Sequence, residues 1–226
     1  MYAHLKGDLK AFRYITSNFI HQRLCHKTDG GIMDGVSISN ITIQGTECPL
    51  FVRLGNRGRK HTKDAPEPPV GIMRNTVINN VVAYNSGNYY SSITGIPGHY
   101  VENLSLSNVQ FFNRGGIKSG GFIENVSKVK EDIKGYPQPT TWKELPSSGL
   151  FVRHAKNIQI RGLMLNSEAA DIRTPVVAVN VDGLQIQTIS KLNNSGADVF
   201  FKGWNVTDLK IDTPLEWKKE VVQLDK

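Results

Sequence analysis

One pair of adjacent carboxylates, two strand-end arginines and a few histidine and tyrosine neighbours are the residues of this 226-residue sequence whose types could do chemistry. Glu131-Asp132 is the one place where two acidic residues are adjacent. Two carboxyls can share general-acid and general-base work when their surroundings push their pKa values apart. Here Lys128, Lys130 and Lys134 flank the pair, and such cations keep both groups ionised, which points to a structural role. Arg53 and Arg153 each close a short apolar run, Leu50-Phe51-Val52 and Leu150-Phe151-Val152, and His154 follows the second. An arginine fork matches a carboxylate with two bonds, so both could face the acid group of a sugar. They could equally cap a sheet by pairing with Asp or Glu. Tyr89-Tyr90 and His99-Tyr100 bracket a short apolar stretch as a possible glycan-facing rim. Trp142 and Tyr136 could stack on a sugar ring or pack their loop onto the body of the protein.

Several other chemistries find no support. No Gly-x-Ser-x-Gly elbow is present. The glycines around Ile117-Lys118-Ser119 lack phosphate-loop spacing, and no helical pattern follows them. Cys25 and Cys48 are the only cysteines, which suits unpaired buried thiols better than a disulfide and argues against zinc. The chain carries a formal net charge of +7, concentrated partly in Arg53, Arg57, Arg59, Lys60, His61 and Lys63. A solvated loop or an anionic glycan contact explains that run better than nucleic acid, because no aromatic residues are interleaved for base stacking. Five stretches match the glycosylation acceptor pattern, Asn40-Ile41-Thr42 and Asn103-Leu104-Ser105 among them, and they read as chance matches inside a structural repeat.

That repeat must position everything above. An aliphatic pair, a small polar pair and a second aliphatic pair return as Val36-Ser37-Ile38-Ser39-Asn40-Ile41-Thr42-Ile43, from Val77 to Ala83, from Leu104 to Phe111 and from Ile158 to Leu165. Weaker copies run Leu184–Ile189 and Val206–Ile211. Alternation marks a strand with one buried face. The step from Ile38 to Ile41 is odd, so both pairs face inward only if the chain bends at Asn40, a residue that tolerates the left-handed conformation. Taking the corners as Asn18, Asn40, Asn80, Asn108, Gly162, Thr188 and Asp208 gives steps of 22, 40, 28, 54, 26 and 20 residues. Further apolar segments, Pro49–Val52, Ser91–Thr94, Gly149–Val152, Pro175–Ala178 and Asp198–Phe201, supply another strand per repeat. The expected fold is an all-β, right-handed, single-stranded parallel β-helix with stacked Asn amides at its corners. One domain covers residues 1–226, with a degenerate first coil at 1–28 and regular coils at 29–114 interrupted by a loop at 56–70. A long loop at 115–147 and C-terminal coils at 148–226 complete it.

Asp29-Gly30-Gly31-Ile32-Met33, the phrase at Asn40–Ile43 and Pro49-Leu50-Phe51-Val52-Arg53-Leu54-Gly55-Asn56-Arg57 resemble the late coils of glycoside hydrolase family 28, the polygalacturonase and rhamnogalacturonan-hydrolase family. The resemblance continues through Ser92–Asn103, Gly135–Pro139, Glu144–Pro146 and Gly149–Asn157, and is specific from about residue 29 to 180. It implies a β-helix that hydrolyses galacturonan-type bonds with inversion, which needs an acid and a base far enough apart to hold a water. The family's Asn-Thr-Asp, Asp-Asp, Gly-His-Gly and Arg-Ile-Lys motifs are all missing from this sequence. The expectation is therefore a carbohydrate-associated chain resembling the C-terminal half of a family member, with little or no hydrolysis of its own. No catalytic residue, metal or cofactor is assigned. Substrate contact is expected from Arg53, Arg57, His99, Tyr100, Arg153 and His154, with an acidic plant polysaccharide as partner rather than nucleic acid or membrane. A non-catalytic binding module and a structural remnant without ligand are the rival readings. The family is secreted or periplasmic, whereas no signal peptide is recognisable here, so the chain as written would be cytoplasmic. A solenoid end must be covered, and a homodimer through the first coil is one way to do so.

Overall fold

The computed structural model describes residues 25–27, 30–60, 62–89, 91–142, 145–187, 196–212 and 219–222. It is all-β, one ten-stranded sheet whose named strand pairs all run parallel. Short strands alternate with long ones. The short ones are β1 (Cys25–Lys27), β3 (Phe51–Leu54) and β5 (Ser91–Thr94). The long ones are β2 (Ile32–Gln44), β4 (Ile72–Ser86) and β6 (Val101–Gly115). In β7 (Ser147–Ala169) the two kinds become one continuous strand. Its first part pairs with β5 and the remainder with β6. β8 (Thr174–Gln187), β9 (Phe201–Asp212) and β10 (Lys219–Val222) follow in register. The apolar segments read from the sequence as additional strands are thus β3, β5 and the beginnings of β7, β8 and β9.

The register shows why the repeat phrase works. Ile38, Ile78, Leu106, Ile160, Ile186 and Ile211 form one inward row, and Ile41, Val81, Val109 and Leu163 form the next. Between them Asn40, Asn80 and Asn108 sit at φ 60°, 53° and 49°, with Gly162 at 62°. The bend expected from the odd step is therefore real, and left-handed at each of these corners. Stacked amides join them: Asn80 Nδ2 donates to Asn40 Oδ1 at 3.1 Å and Asn108 Nδ2 to Asn80 Oδ1 at 2.8 Å. A second stack, unforeseen from the sequence, runs five residues earlier. Asn157 Nδ2 donates to Asn103 Oδ1 and Asn103 Nδ2 to Asn75 Oδ1, each at 2.9 Å. Asp208 belongs to this second row, because its neighbours pair with Asp182 and Leu184 around Gly183. Assigning Asp208 to the Asn40 row was a register error, and Asn18 and Thr188 lie outside the described residues. Asn40, Asn103 and Asn205 are all amide-ladder members, and Asn125 caps a short turn through its bond to Ser127 N. These four acceptor-like stretches therefore have structural uses; the fifth, at Asn193, is outside the described residues.

Replacing Asn80 by alanine removes two amide bonds and leaves a residue with a Cβ but no compensating side-chain hydrogen bond in the left-handed region. Asn80→Ala is expected to cost about 1–2 kcal/mol, and Asn80→Gly less, since glycine keeps the corner's backbone freedom. Urea denaturation of the two variants checks this, and equal losses would show that the corner conformation contributes nothing.

Two cores result. The larger lies inside the bend and is lined by Val52, Ile93, Val152, Ile78, Leu106, Ile160 and their register neighbours. The smaller lies on the opposite face of the short strands, where Phe51, Phe151, Val177 and Val179 are covered by Val126, Val129, Trp142 and Leu145. Strands β3 (Phe-Val-Arg-Leu) and β5 (Ser-Ser-Ile-Thr) are buried along their whole length, so their sequences carry no apolar-in, polar-out alternation. The covering segment, 116–146, contains two short 3₁₀ turns at Val126–Lys128 and Pro139–Trp142. The other expected loop spans 55–71. Cys48 is buried in the smaller core, and its thiol donates weakly to Leu50 O at 3.4 Å. The side chain of Cys25 is outside what the structure describes, as is most of the expected degenerate coil at 1–28 with its proposed self-association.

Candidate functional site

Five of the six residues expected to contact substrate lie where the short strands hand over to the long ones, and the sixth, Arg57, lies in the loop after β3. Arg53, Thr94 and Arg153 are register neighbours on β3, β5 and β7. Between β5 and β6 the chain makes a tight turn, with Ile96 N donating to His99 O and His99 N to Ile96 O, both at 2.9 Å. Pro97 and Gly98 occupy its centre, and Gly98 has φ 77°, the pairing that a type II turn demands. His99 and Tyr100 follow and are exposed.

The two arginines are not presented to solvent. Arg53 and Arg153 are only 3% and 2% exposed, and each bonds the covering segment from beneath. Arg53 donates to Glu131 O at 2.7 Å and Asp132 O at 3.0 Å with one nitrogen, and to Gly95 O at 3.0 Å with the other. Arg153 donates to Val129 O at 2.8 Å and Lys130 O at 2.7 Å. Four consecutive carbonyls, Val129 to Asp132, are therefore gripped by two guanidiniums. Trp142 is wedged between them, its ring centroid 4.6 Å from Arg53 and 5.8 Å from Arg153, and its indole N–H donates to Lys130 O at 2.8 Å. Of the two roles open to these arginines in the sequence, capping is the one the structure displays. The partners are mainly loop carbonyls, with the Glu131 carboxylate 3.4 Å from Arg153. His154 is likewise buried and held to Glu131, its Nε2 lying 3.1 Å from both carboxylate oxygens.

Charge is balanced tightly here. Burial pushes the Arg53 guanidinium down, and the nearby Arg153 adds to this, against the opposing carboxylates of Asp132 and Glu131; the result is about 10. It stays protonated at neutral pH. Burial pushes the Glu131 carboxyl up, but the hydrogen bond from His154 and the charges of Arg153, His154 and Arg53 outweigh it, leaving a pKa below the usual carboxylate value. These groups, rather than the flanking lysines, keep Glu131 ionised. A depressed carboxyl contributes stability that is present above its unfolded pKa and lost as pH falls through its folded one. The grip on the segment should thus weaken below about pH 4.3. Following Trp142 fluorescence during acid titration checks this, and Glu131→Gln should flatten that part of the profile; an unchanged profile would contradict the role given to Glu131.

What does face solvent is a rim around this buried centre. Arg57 is half-buried, with its guanidinium carbon 5.0 Å from the Tyr136 ring centroid, and Asn56 N donates to Ile133 O at 2.8 Å. Tyr136 is 46% exposed and Tyr100 37%. Trp142, in contrast, packs its loop down. Of the rim expected at Tyr89-Tyr90, Tyr89 packs against the smaller core and Tyr90 is outside the described residues. The basic run divides in the same way: Arg53 is internal, Lys60 and Lys63 are exposed, and His61 is outside the described residues.

Sequence reasoning missed a second anchor. Asp171 and Arg173 are each 1% exposed and form a two-point pair, Nε to Oδ1 at 3.0 Å and Nη2 to Oδ2 at 2.8 Å. Arg173 also donates to Leu145 O at 3.3 Å, and Ile172 N to Ile117 O at 3.3 Å, so both ends of the covering segment are tied here. The signal was an oppositely charged i,i+2 pair between two strand patterns. Among the described residues no group of three or more His, Cys, Asp or Glu side chains could hold a metal ion, and no helix is long and apolar enough to cross a membrane. Comparisons with protein-family models, with curated proteins and with solved structures find no match to this chain.

Proposed function

We propose that this chain is a carbohydrate-associated protein built as a right-handed, single-stranded parallel β-helix. In this reading it resembles the C-terminal portion of a glycoside hydrolase family 28 enzyme and holds an acidic plant polysaccharide without cleaving it. The observation that carries the reading is a set of accessible side chains: Arg57 beside Tyr136 on the segment pinned by two buried arginines, and His99 and Tyr100 at the turn after β5. The parallel register with repeated Asn corners supports the β-helix, and the motifs from Asp29 to Asn157 support the family. Arg57 would pair with a uronate carboxylate, for which its fork is suited, and Tyr136, Tyr100 and His99 would meet the ring and hydroxyls. Arg53, Arg153 and His154 act in this reading as positioning residues, since they hold the segment that carries Tyr136. The missing carboxylate motifs argue against hydrolysis.

Incubation with polygalacturonate and a rhamnogalacturonan, read by new reducing ends, tests the absence of turnover. Electrophoresis through gels containing polygalacturonate tests the binding. Retardation without new reducing ends is the expected outcome. Robust hydrolysis would overturn the non-catalytic part, and unretarded migration would overturn the binding part.

A further inference from the structure

We infer that the root of the covering segment holds an internal hydration site, at least one ordered water bound by Ser86, Ser91, Asn113 and Ser147. The inference is independent of the glycan reading and uses none of its residues. The segment leaves the sheet after β6 and returns at the start of β7, so Asn113 and Ser147 flank it in the chain. Asn113 Nδ2 donates to Ser148 O at 3.1 Å, which ties the departure to the return. Ser86, at the end of β4, is the register neighbour of Asn113. Ser91, at the start of β5, is the register neighbour of Leu150, two residues on from Ser148. One corner of the fold therefore gathers four polar side chains, none more than 1% exposed.

What singles out this corner is its unanswered hydrogen bonding. The hydroxyls of Ser86, Ser91 and Ser147 and the amide oxygen of Asn113 are all buried without a hydrogen-bond partner among the described residues. Nearly every buried polar side-chain atom in a folded protein has a partner, in the chain or in ordered water. Several orphans at one corner therefore point to a ligand rather than to four separate penalties. The donor and acceptor count selects water. A hydroxyl gives one proton and also accepts, whereas an amide oxygen only accepts. A water gives two protons and accepts two, so it can accept from two of the serines while donating to Asn113 Oδ1 and the third. Buried waters make about three such bonds. All four groups are neutral, and they border the larger apolar core through Leu150 and through Phe111, two residues before Asn113. Such surroundings penalise a bare ion far more than an uncharged molecule.

Substitution separates a bound water from dry, orphaned hydroxyls. Alanine at a dry orphan removes a desolvated polar group and raises stability, whereas alanine at a water ligand leaves the water short of a partner and lowers it. Ser86→Ala and Ser147→Ala should each lower the thermal midpoint by about 2–4 °C. Asn113 is a poorer choice, because its loss also breaks the bond to Ser148 O. A high-resolution crystal structure of the parent protein, which needs no variant to fold, should show a water within hydrogen-bond distance of at least three of the four oxygens. The same structure of Ser86→Ala should show that water displaced or weakened. A dry corner in the parent, with its hydroxyls turned onto backbone carbonyls, would overturn the proposal, and so would alanine variants that match or exceed the parent's thermal midpoint.

Discussion

Arg153→Ala is expected to release the covering segment from the short strands. The substitution strands the Val129 carbonyl, leaves Lys130 O with the Trp142 indole N–H alone, and takes away the cation 3.4 Å from Glu131. Hydrogen bonds to a charged donor contribute about 1.5–3 kcal/mol each, and buried acceptors left unpaired are costly, so a loss near 3 kcal/mol is expected. Much of it should appear locally, because the smaller core of Phe51, Phe151, Trp142 and Val129 depends on that segment staying down. Limited trypsin digestion reports this directly, since Lys128, Lys130 and Lys134 lie within it. The variant should be cut there many-fold faster than the parent at a temperature where both are folded. Arg153→Lys should be intermediate, because a single ammonium cannot reach both carbonyls with a fixed fork. Unchanged cleavage would mean that the apolar contacts alone hold the segment.

Asp171→Ala should be the most destabilising single change among the buried charges. Asp171 accepts from the backbone N–H of Arg173 at 3.1 Å as well as from its guanidinium, and both residues are almost wholly inaccessible. Removing one member of a buried pair leaves the other uncompensated, which costs about 3–5 kcal/mol. The double change Asp171→Leu with Arg173→Met removes the orphaned charge and should recover a large part of that loss. Urea denaturation of the three variants decides the matter. A double variant less stable than Asp171→Ala would show that the pair's worth lies in the tie from Arg173 to Leu145 O rather than in charge compensation.

How much of this was legible without coordinates differs by residue. The inward rows were visible because Ile38 and Ile41 stand at an odd spacing, which only a left-handed corner reconciles. The amide stack at Asn40, Asn80 and Asn108 followed from the same observation. The second stack, through Asn75, Asn103 and Asn157, escaped because its flanking positions include Met33, Thr76 and Ala155, which blur the alternation. Asp208 was misplaced for a related reason: Val206-Thr207-Asp208-Leu209 has the right pattern for either corner, and only the strand register distinguishes them. Burial on both faces of β3 and β5 was hidden in the sequence, because the covering partner comes from residues 126–145, far along the chain. That same separation explains the site. Arg53 and Arg153 have the types and strand-end positions of sugar ligands. What they grip, however, is a run of backbone carbonyls, and carbonyls leave no mark on residue identity. The pairing of Glu131 with Arg153 and His154 left a faint trace as two short doublets of opposite charge.

The rim at Arg57, His99, Tyr100 and Tyr136 is where the account is most exposed to test. Isothermal titration of a purified oligogalacturonide into the parent, Arg57→Ala and Tyr136→Ala addresses it in one series. The account predicts measurable binding by the parent, a loss of roughly tenfold or more on removing the cation, and weakening as ionic strength rises, since Arg57 lies at the surface. Equal affinity for the parent and a folded Arg57→Ala, independent of salt, would contradict it.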